Sequence, residues 1–258
     1  DDKGIVVREE PNGWCLGEWS TPHNRIEIPA SLVNTAYFYH VTCIMADVAG
    51  ILDKKEDEHH LHTLAETIRK NFNAAFYNDV THHYWEGKQG ADVFALAFGL
   101  VLEGKQEKVF SALLEHLKKV NYHFDTGILA TPLLLKVLTE NGRADLAYKL
   151  MNQRDFPSYG YLADKKNNTL WETWNGDGND EGCGHCHPMF GSVVAWFYNS
   201  LAGIKPDLVN PGMKHFYVEP IIVSGLEYCR ASYDSLYGQI RSDWKIDGSG
   251  NLNLQIEI

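Results

Sequence analysis

The stretch Ile128–Gln153, ILATPLLLKVLTENGRADLAYKLMNQ, reads as two helices with a stop between them at Asn141-Gly142. Glycine and asparagine tolerate the left-handed backbone that ends a helix. Two helices joined by so short a link fold back on one another as an α/α hairpin. The segments on either side repeat the arrangement. GADVFALAFGLVLEG predicts a short, very apolar helix, and QEKVFSALLEHLKKVN an amphipathic one. Further upstream, Leu32, Ala36, Tyr39, Cys43, Ile44, Val48 and Ile51 recur at three- and four-residue steps and predict a helix over 31–52, with Ser31 as its N-cap. A second helix is expected over 56–78, with Leu61, Leu64, Ile68 and Phe72 on one face. The first thirty residues read as loop and turn. Downstream, PMFGSVVAWFYNSLAG predicts another helix, with Pro188 in its first turn and Gly203 at its end.

After Asn210 the period changes. HFYVEPIIV, LEYCRASYDS, YGQIRSDWKID and NLNLQIEI alternate like strands, and DGSG (247–250) has the composition of a hairpin turn. Helices followed by strands suggest two packed domains, not a βαβ unit. The expected fold is mainly α with a β tail: helical hairpins stacked around an axis over 1–208, then antiparallel strands over 209–258.

Composition narrows the function. The chain has 258 residues, 44% of them hydrophobic, which is enough for a substantial core. A formal net charge of -11 argues against nucleic acid, whose binders need a basic face, and against anionic membranes. No apolar run approaches the roughly 18 residues of a membrane-spanning helix. The 7 tryptophans and 13 tyrosines suit carbohydrate, because sugar C–H faces pack on rings, although aromatics also fill cores. Five scattered cysteines do not make a disulfide framework. The chain opens without an initiator methionine or signal peptide and closes in a strand-like run, so both ends read as cuts through a longer protein and the compartment is not legible.

The chemistry concentrates in TLWETWNGDGNDEGCGHCHPMFGS (169–192). Glu172 lies between Trp171 and Trp174. A carboxylate among aromatics suits acid–base work on a sugar, with burial expected to raise its pKa. It could equally be an ordinary glutamate near a helix start. Cys183, His185, Cys186 and His187 are zinc-type ligands, but crowding them into five residues hinders a tetrahedral site. DGNDEG (177–182) has calcium-loop character without the closing glutamate, and reads equally as a solvated acidic turn. His59, His60 and His62 do not share a helix face at ligand spacing. No phosphate loop, G-x-S-x-G or dinucleotide motif occurs.

With PSYGYL and NNTLWETW (157–174) followed by HPMFGSVVAWFY (187–198), the sequence resembles the α-L-rhamnosidases of glycoside hydrolase family 78. GWCLGEW (13–19) is similar to the family's Gly-Trp-Gly-Asp-Trp segment. GKQGADVFALAFGL, DTGILATPLLLKVLTENGRADLAYKLM and the strand region also resemble it, so the likeness covers nearly the whole chain. It implies the later helices of an (α/α)6 barrel followed by an incomplete β-sandwich. It also implies an inverting glycosidase that releases terminal α-L-rhamnose from a rhamnose-containing oligosaccharide or glycoside, without cofactor or metal. On that reading Glu172 is the general base, His187 hydrogen-bonds the sugar, and Trp14 or Trp19 walls its pocket. Trp171 and Trp174 shape the surroundings of Glu172, Glu18 stands where the family has Asp, and all three are expected among the substrate-binding residues. The family's general acid belongs to an Asp- and Arg-rich motif that this sequence lacks. An inverting enzyme needs two carboxyl groups about 6.5–9.5 Å apart. Two other readings stay open: a carbohydrate-binding or structural module without turnover, and a different (α/α)6 glycosidase.

Overall fold

The structure is a computed structural model that describes residues 4–7, 17–22, 27–165, 169–175 and 184–258. Its helices come as three hairpins: α1 (Ala30–Ile51) with α2 (Lys55–Phe76), α3 (Gln89–Ala97) with α4 (Gln106–Lys119), and α5 (Ala130–Glu140) with α6 (Ala144–Met151). The first helix of each pair also packs on the first helix of the next, α1 on α3 and α3 on α5. These helices form an inner row, and their partners flank it. The sequence explains the division. The flanking α4 buries only the stripe Val109, Leu113 and Leu117, one face of an amphipathic helix. The inner α3 buries every residue from Gln89 to Ala95, and its composition is correspondingly apolar.

After α6 a short helix, α7 (Tyr159–Asp164), begins at Ser158, whose hydroxyl accepts from the Tyr161 N–H at 3.0 Å. Beyond the site segment, 3₁₀ turns (Pro188–Val193) lead through one helical turn, α8 (Val194–Trp196), into a π turn (Phe197–Leu201). This stretch packs against α5 and extends the inner row. Strand β1 (Ile204–Pro206) pairs antiparallel with β2 (Phe216–Val218). β3 (Tyr228–Ser235), β4 (Gly238–Ile246) and β5 (Leu252–Glu257) form a second antiparallel sheet in that order. Two buried hydrogen bonds tie this sheet to the helices: Trp244 Nε1 donates to the Leu201 carbonyl and Ser242 Oγ to the Ala202 carbonyl, both at 2.7 Å.

At the other end of the inner row, α1 leaves Phe38, Val41, Met45 and Val48 exposed at alternating three- and four-residue steps, and its C-cap Leu52 continues them. They make one apolar stripe of the kind that packs against a neighbouring helix. Among the described residues, no helix is long and apolar enough to cross a membrane.

Several local expectations differ from the structure. The helix expected across GADVFALAFGLVLEG ends at Ala97, because Gly99 takes φ +73° and lets the Leu100 N–H return to the Ala95 carbonyl. Ser31 is not the cap of α1, which starts one residue earlier behind Pro29. The strand expected over HFYVEPIIV stops at Val218, since Pro220 has no N–H for a ladder. The helix expected over 188–203 divides into the three kinds of turn given above. DGSG is a turn as expected: the Asp247 carboxylate accepts from the Ser249 and Asn251 N–H groups, and Gly250 takes φ +83°.

Trp244 is 2% exposed and bonded to the helical body. Trp244→Ala is therefore expected to lower the unfolding free energy by about 3–5 kcal/mol in a urea titration. A change below about 1 kcal/mol would show that the sheet does not depend on this anchor.

Candidate active site

Glu172 lies on one of two short arms that pair like strands. The Glu172 N–H donates to the Gly184 carbonyl at 2.9 Å, and the His187 N–H to the Leu170 carbonyl at 2.8 Å. The Thr169 hydroxyl also bonds the His185 carbonyl. The side chain is fixed at both oxygens. Oε2 accepts from the Gly184 N–H at 2.7 Å, and Oε1 from the indole Nε1 of Trp19 at 3.1 Å. His187 lines the same space: a Cβ added at Gly184 would lie 3.2 Å from Glu172 Oε2 and 3.4 Å from His187 Cδ2. His187 Nδ1 is buried and has no hydrogen-bond partner among the described residues.

The Gly184 N–H is the main influence holding the Glu172 carboxyl below the usual carboxylate range; the Trp19 indole and the His187 charge add to it, against a cost of desolvation. The sequence reading expected burial to raise this pKa. The structure corrects that: Glu172 is only half-buried, and donors outweigh desolvation.

Trp19 reaches Glu172 because its own backbone is clamped. Its carbonyl accepts from the Ile128 N–H at 3.0 Å. Beside it, Glu18 Oε1 accepts from the Gly127 N–H at 2.6 Å and the Ala130 N–H at 3.1 Å, across the start of α5. Glu18 is 1% exposed, and Oε2 has no partner among the described residues. Burial pushes its pKa up to about 8; the two N–H bonds oppose the rise, and Asp125 adds to it. The chain approaches closely here, since a Cβ at Gly127 would lie 1.9 Å from the Trp19 carbonyl oxygen.

The other expected residues divide. Trp171 is half-buried, with His185 stacked on it at 4.0 Å between ring centres. Trp174 is fully buried: its indole donates to the Thr126 carbonyl at 3.0 Å, and its ring stacks on Phe124 at 5.2 Å. It supports the site from below and has no face open to a sugar. Glu18, also expected at the substrate, is turned into the protein. Trp14, Cys183 and the acidic loop 177–182 lie outside the described residues. Among the described residues, no group of three or more His, Cys, Asp or Glu is placed to hold a metal ion.

Residues that sequence reasoning passed over complete the support. Gln89 and Asp125 exchange backbone-to-side-chain bonds, both at 3.1 Å, and His116 meets Asp125 Oδ2 at 2.6 Å. Gly184 matters through its backbone N–H, which no residue-type motif reveals. Gly127 gave one faint signal, a glycine directly before an apolar helix.

The fold is of the helical-hairpin class, with a carboxylate, two indoles and a histidine gathered where its inner helices begin. Similarity to known proteins narrows the class. Residues 3–201 match the bacterial alpha-L-rhamnosidase 6 hairpin glycosidase domain, and residues 203–258 match the bacterial alpha-L-rhamnosidase C-terminal domain. An alpha-L-rhamnosidase of Formosa agariphila is 32% identical over 242 residues, 90% of this chain and 26% of that protein. The alpha-L-rhamnosidase structure from Dictyoglumus thermophilum superposes with TM-score 0.90 at 32% identity, over 100% of this chain and 28% of that one. That of Streptomyces avermitilis, complexed with L-rhamnose, gives TM-score 0.87 at 30% identity, over 100% of this chain and 25% of that one. The chain belongs to the bacterial α-L-rhamnosidase family, glycoside hydrolase family 78, and has its fold, part of the six-hairpin barrel with a β tail. It spans about a quarter of the length of the relatives it matches.

Two outcomes follow for stability. A Glu18 carboxyl with folded pKa about 8 keeps its proton where the unfolded chain, with an ordinary value of 4.5, has lost it. Its stabilising contribution is complete below pH 4.5 and is lost as pH rises toward 8. Glu18→Gln removes this dependence, so the melting temperature of the variant minus that of the wild type should rise between pH 5 and pH 8, a window set by those two values. A constant difference would show that Glu18 is ionised in the fold. Gly127→Ala forces a carbon onto the Trp19 carbonyl. It should cost about 1–3 kcal/mol in denaturant unfolding, and an unchanged midpoint would contradict the close approach.

Proposed function

We propose that this chain forms the base-bearing part of an α-L-rhamnosidase, an inverting hydrolase that releases terminal α-L-rhamnose from glycans or glycosides. The observation that carries the reading is the Glu172 carboxylate held between the Trp19 indole and the Gly184 N–H, with the His187 ring lining the same space. The Streptomyces avermitilis relative, complexed with L-rhamnose, supports the choice of sugar.

Each Glu172 oxygen accepts one hydrogen bond from the described residues, which leaves lone pairs for a water molecule. Glu172 takes a proton from that water as its oxygen attacks the anomeric carbon from the face opposite the leaving group. A separate carboxylic acid protonates the departing oxygen. This acid comes from the family's Asp- and Arg-rich motif, which lies outside this chain. His187, whose ring lines the same space as the Glu172 carboxylate, hydrogen-bonds a sugar hydroxyl. Trp19 and the open part of Trp171 wall the sugar, with Trp14 in the same role. Because the base works ionised, its lowered pKa carries activity further down the acid side than an ordinary glutamate would. The chain divides into barrel helices over 1–208 and the start of the β domain over 209–258.

The missing acid motif favours a second reading for residues 1–258 in isolation: sugar binding without turnover. Hydrolysis of a nitrophenyl α-L-rhamnoside by residues 1–258, beside the full-length protein carrying this chain, separates the cases: turnover by the longer protein alone supports the second reading. Glu172→Gln is expected to lower kcat by about 10²–10⁴ while the circular dichroism spectrum is retained. The first-formed sugar should be the β anomer by proton NMR. Turnover of Glu172→Gln at the wild-type rate, or α-rhamnose formed first, would reject the mechanism.

A further inference from the structure

We propose that Glu18 is a positioning residue for the catalytic base: clamped across the start of α5, it holds Trp19 where the indole N–H reaches Glu172. The proposal rests on the reading of Glu172 as the base. It is carried by a continuous set of contacts. Glu18 Oε1 bridges the Gly127 and Ala130 N–H groups, and the next residue's carbonyl takes the Ile128 N–H. Three bonds therefore fix residues 18 and 19 on the turn that opens α5. The Trp19 ring then spans to Glu172 Oε1 at 3.1 Å, joining parts of the chain 153 residues apart. Glycine at position 127 is what lets the two backbones come this close.

A carboxyl group that keeps its proton near neutrality could also be read as the missing general acid. Access excludes that role. Glu18 is 1% exposed, and one of its oxygens is committed to two backbone donors. A proton donor must reach the leaving oxygen directly or through one water. Among the described residues, the ionisable groups that face Glu18 are Asp125 and, from α1, Tyr37, and the one that acts on Glu172 is His187. None of these joins the two glutamates; the connection that the described residues make between them runs through Trp19.

The test is the pH profile of kcat/KM for a nitrophenyl α-L-rhamnoside in the full-length protein carrying this chain, well below the melting temperature. Glu18→Ala, Trp19→Phe and their double variant are compared with the wild type. Losing the indole donor weakens the ionised form of Glu172. Both single variants should move the acid limb to higher pH. If Glu18 acts through Trp19, the double variant moves it no further than Trp19→Phe alone. Glu18→Gln keeps the bridging oxygen and should restore the limb to its wild-type position. A merely structural role would lower the melting temperature of Glu18→Ala and leave the limb in place. An unmoved limb, additive displacements or an inactive Glu18→Gln would each overturn the proposal. Glu172→Gln, assayed alongside, keeps the two readings apart. Its full activity would reject the base, whereas its inactivity with an unmoved Glu18→Ala limb would reject only the positioning role.

Discussion

The site depends on one crossing of the chain, where residues 18 and 19 run over the turn that begins α5. That turn is an anchor for several elements at once. Its Thr126 carbonyl holds the Trp174 indole, its Gly127 and Ala130 N–H groups hold Glu18, and its Ile128 N–H holds the Trp19 backbone. One residue earlier, Asp125 exchanges hydrogen bonds with Gln89 at the head of α3. The starts of two inner helices and the segment that carries Glu172 are thereby fixed to one short stretch of backbone. The donors at the head of α5 are the N–H groups a helix leaves without intrahelical partners. Satisfying them from a distant side chain turns a helix end into a joint.

Two glutamates near this joint have opposite electrostatics, and their surroundings decide which is which. Glu18 is enclosed, and two N–H donors do not offset the loss of water, so it retains its proton. Glu172 is half-buried and gains a backbone donor, an indole donor and a nearby histidine, so it stays ionised. Environments that push two carboxyl groups apart assign their duties. Here the neutral one braces the structure, and the ionised one stays half-exposed.

Much of this was legible in the sequence. The hairpin pattern follows from apolar periodicity interrupted by Asn141-Gly142, and the strand region from the change of period after Asn210. Glu172 stood out because aromatics flank it, and His187 entered through resemblance. The rest was hidden for definite reasons. Glu18 and Trp174 carry the residue types of a sugar site yet are buried, and burial depends on packing that a local pattern does not contain. The lowered pKa of Glu172 depends on the Gly184 N–H, a donor that every residue except proline possesses. The fragmentation of the helix expected over 188–203 likewise reflects its packing on α5 and the strand beyond it.

The central claim is that the Trp19 indole donates to an ionised Glu172. It is tested most directly by following the Trp19 indole N–H resonance through an acid titration by NMR, assigned with Trp19→Phe. The account predicts a resonance slow to exchange with water, shifting only as Glu172 takes up its proton below the usual carboxylate range, and failing to titrate in Glu172→Gln. A rapidly exchanging indole, or one whose titration survives in Glu172→Gln, would contradict it.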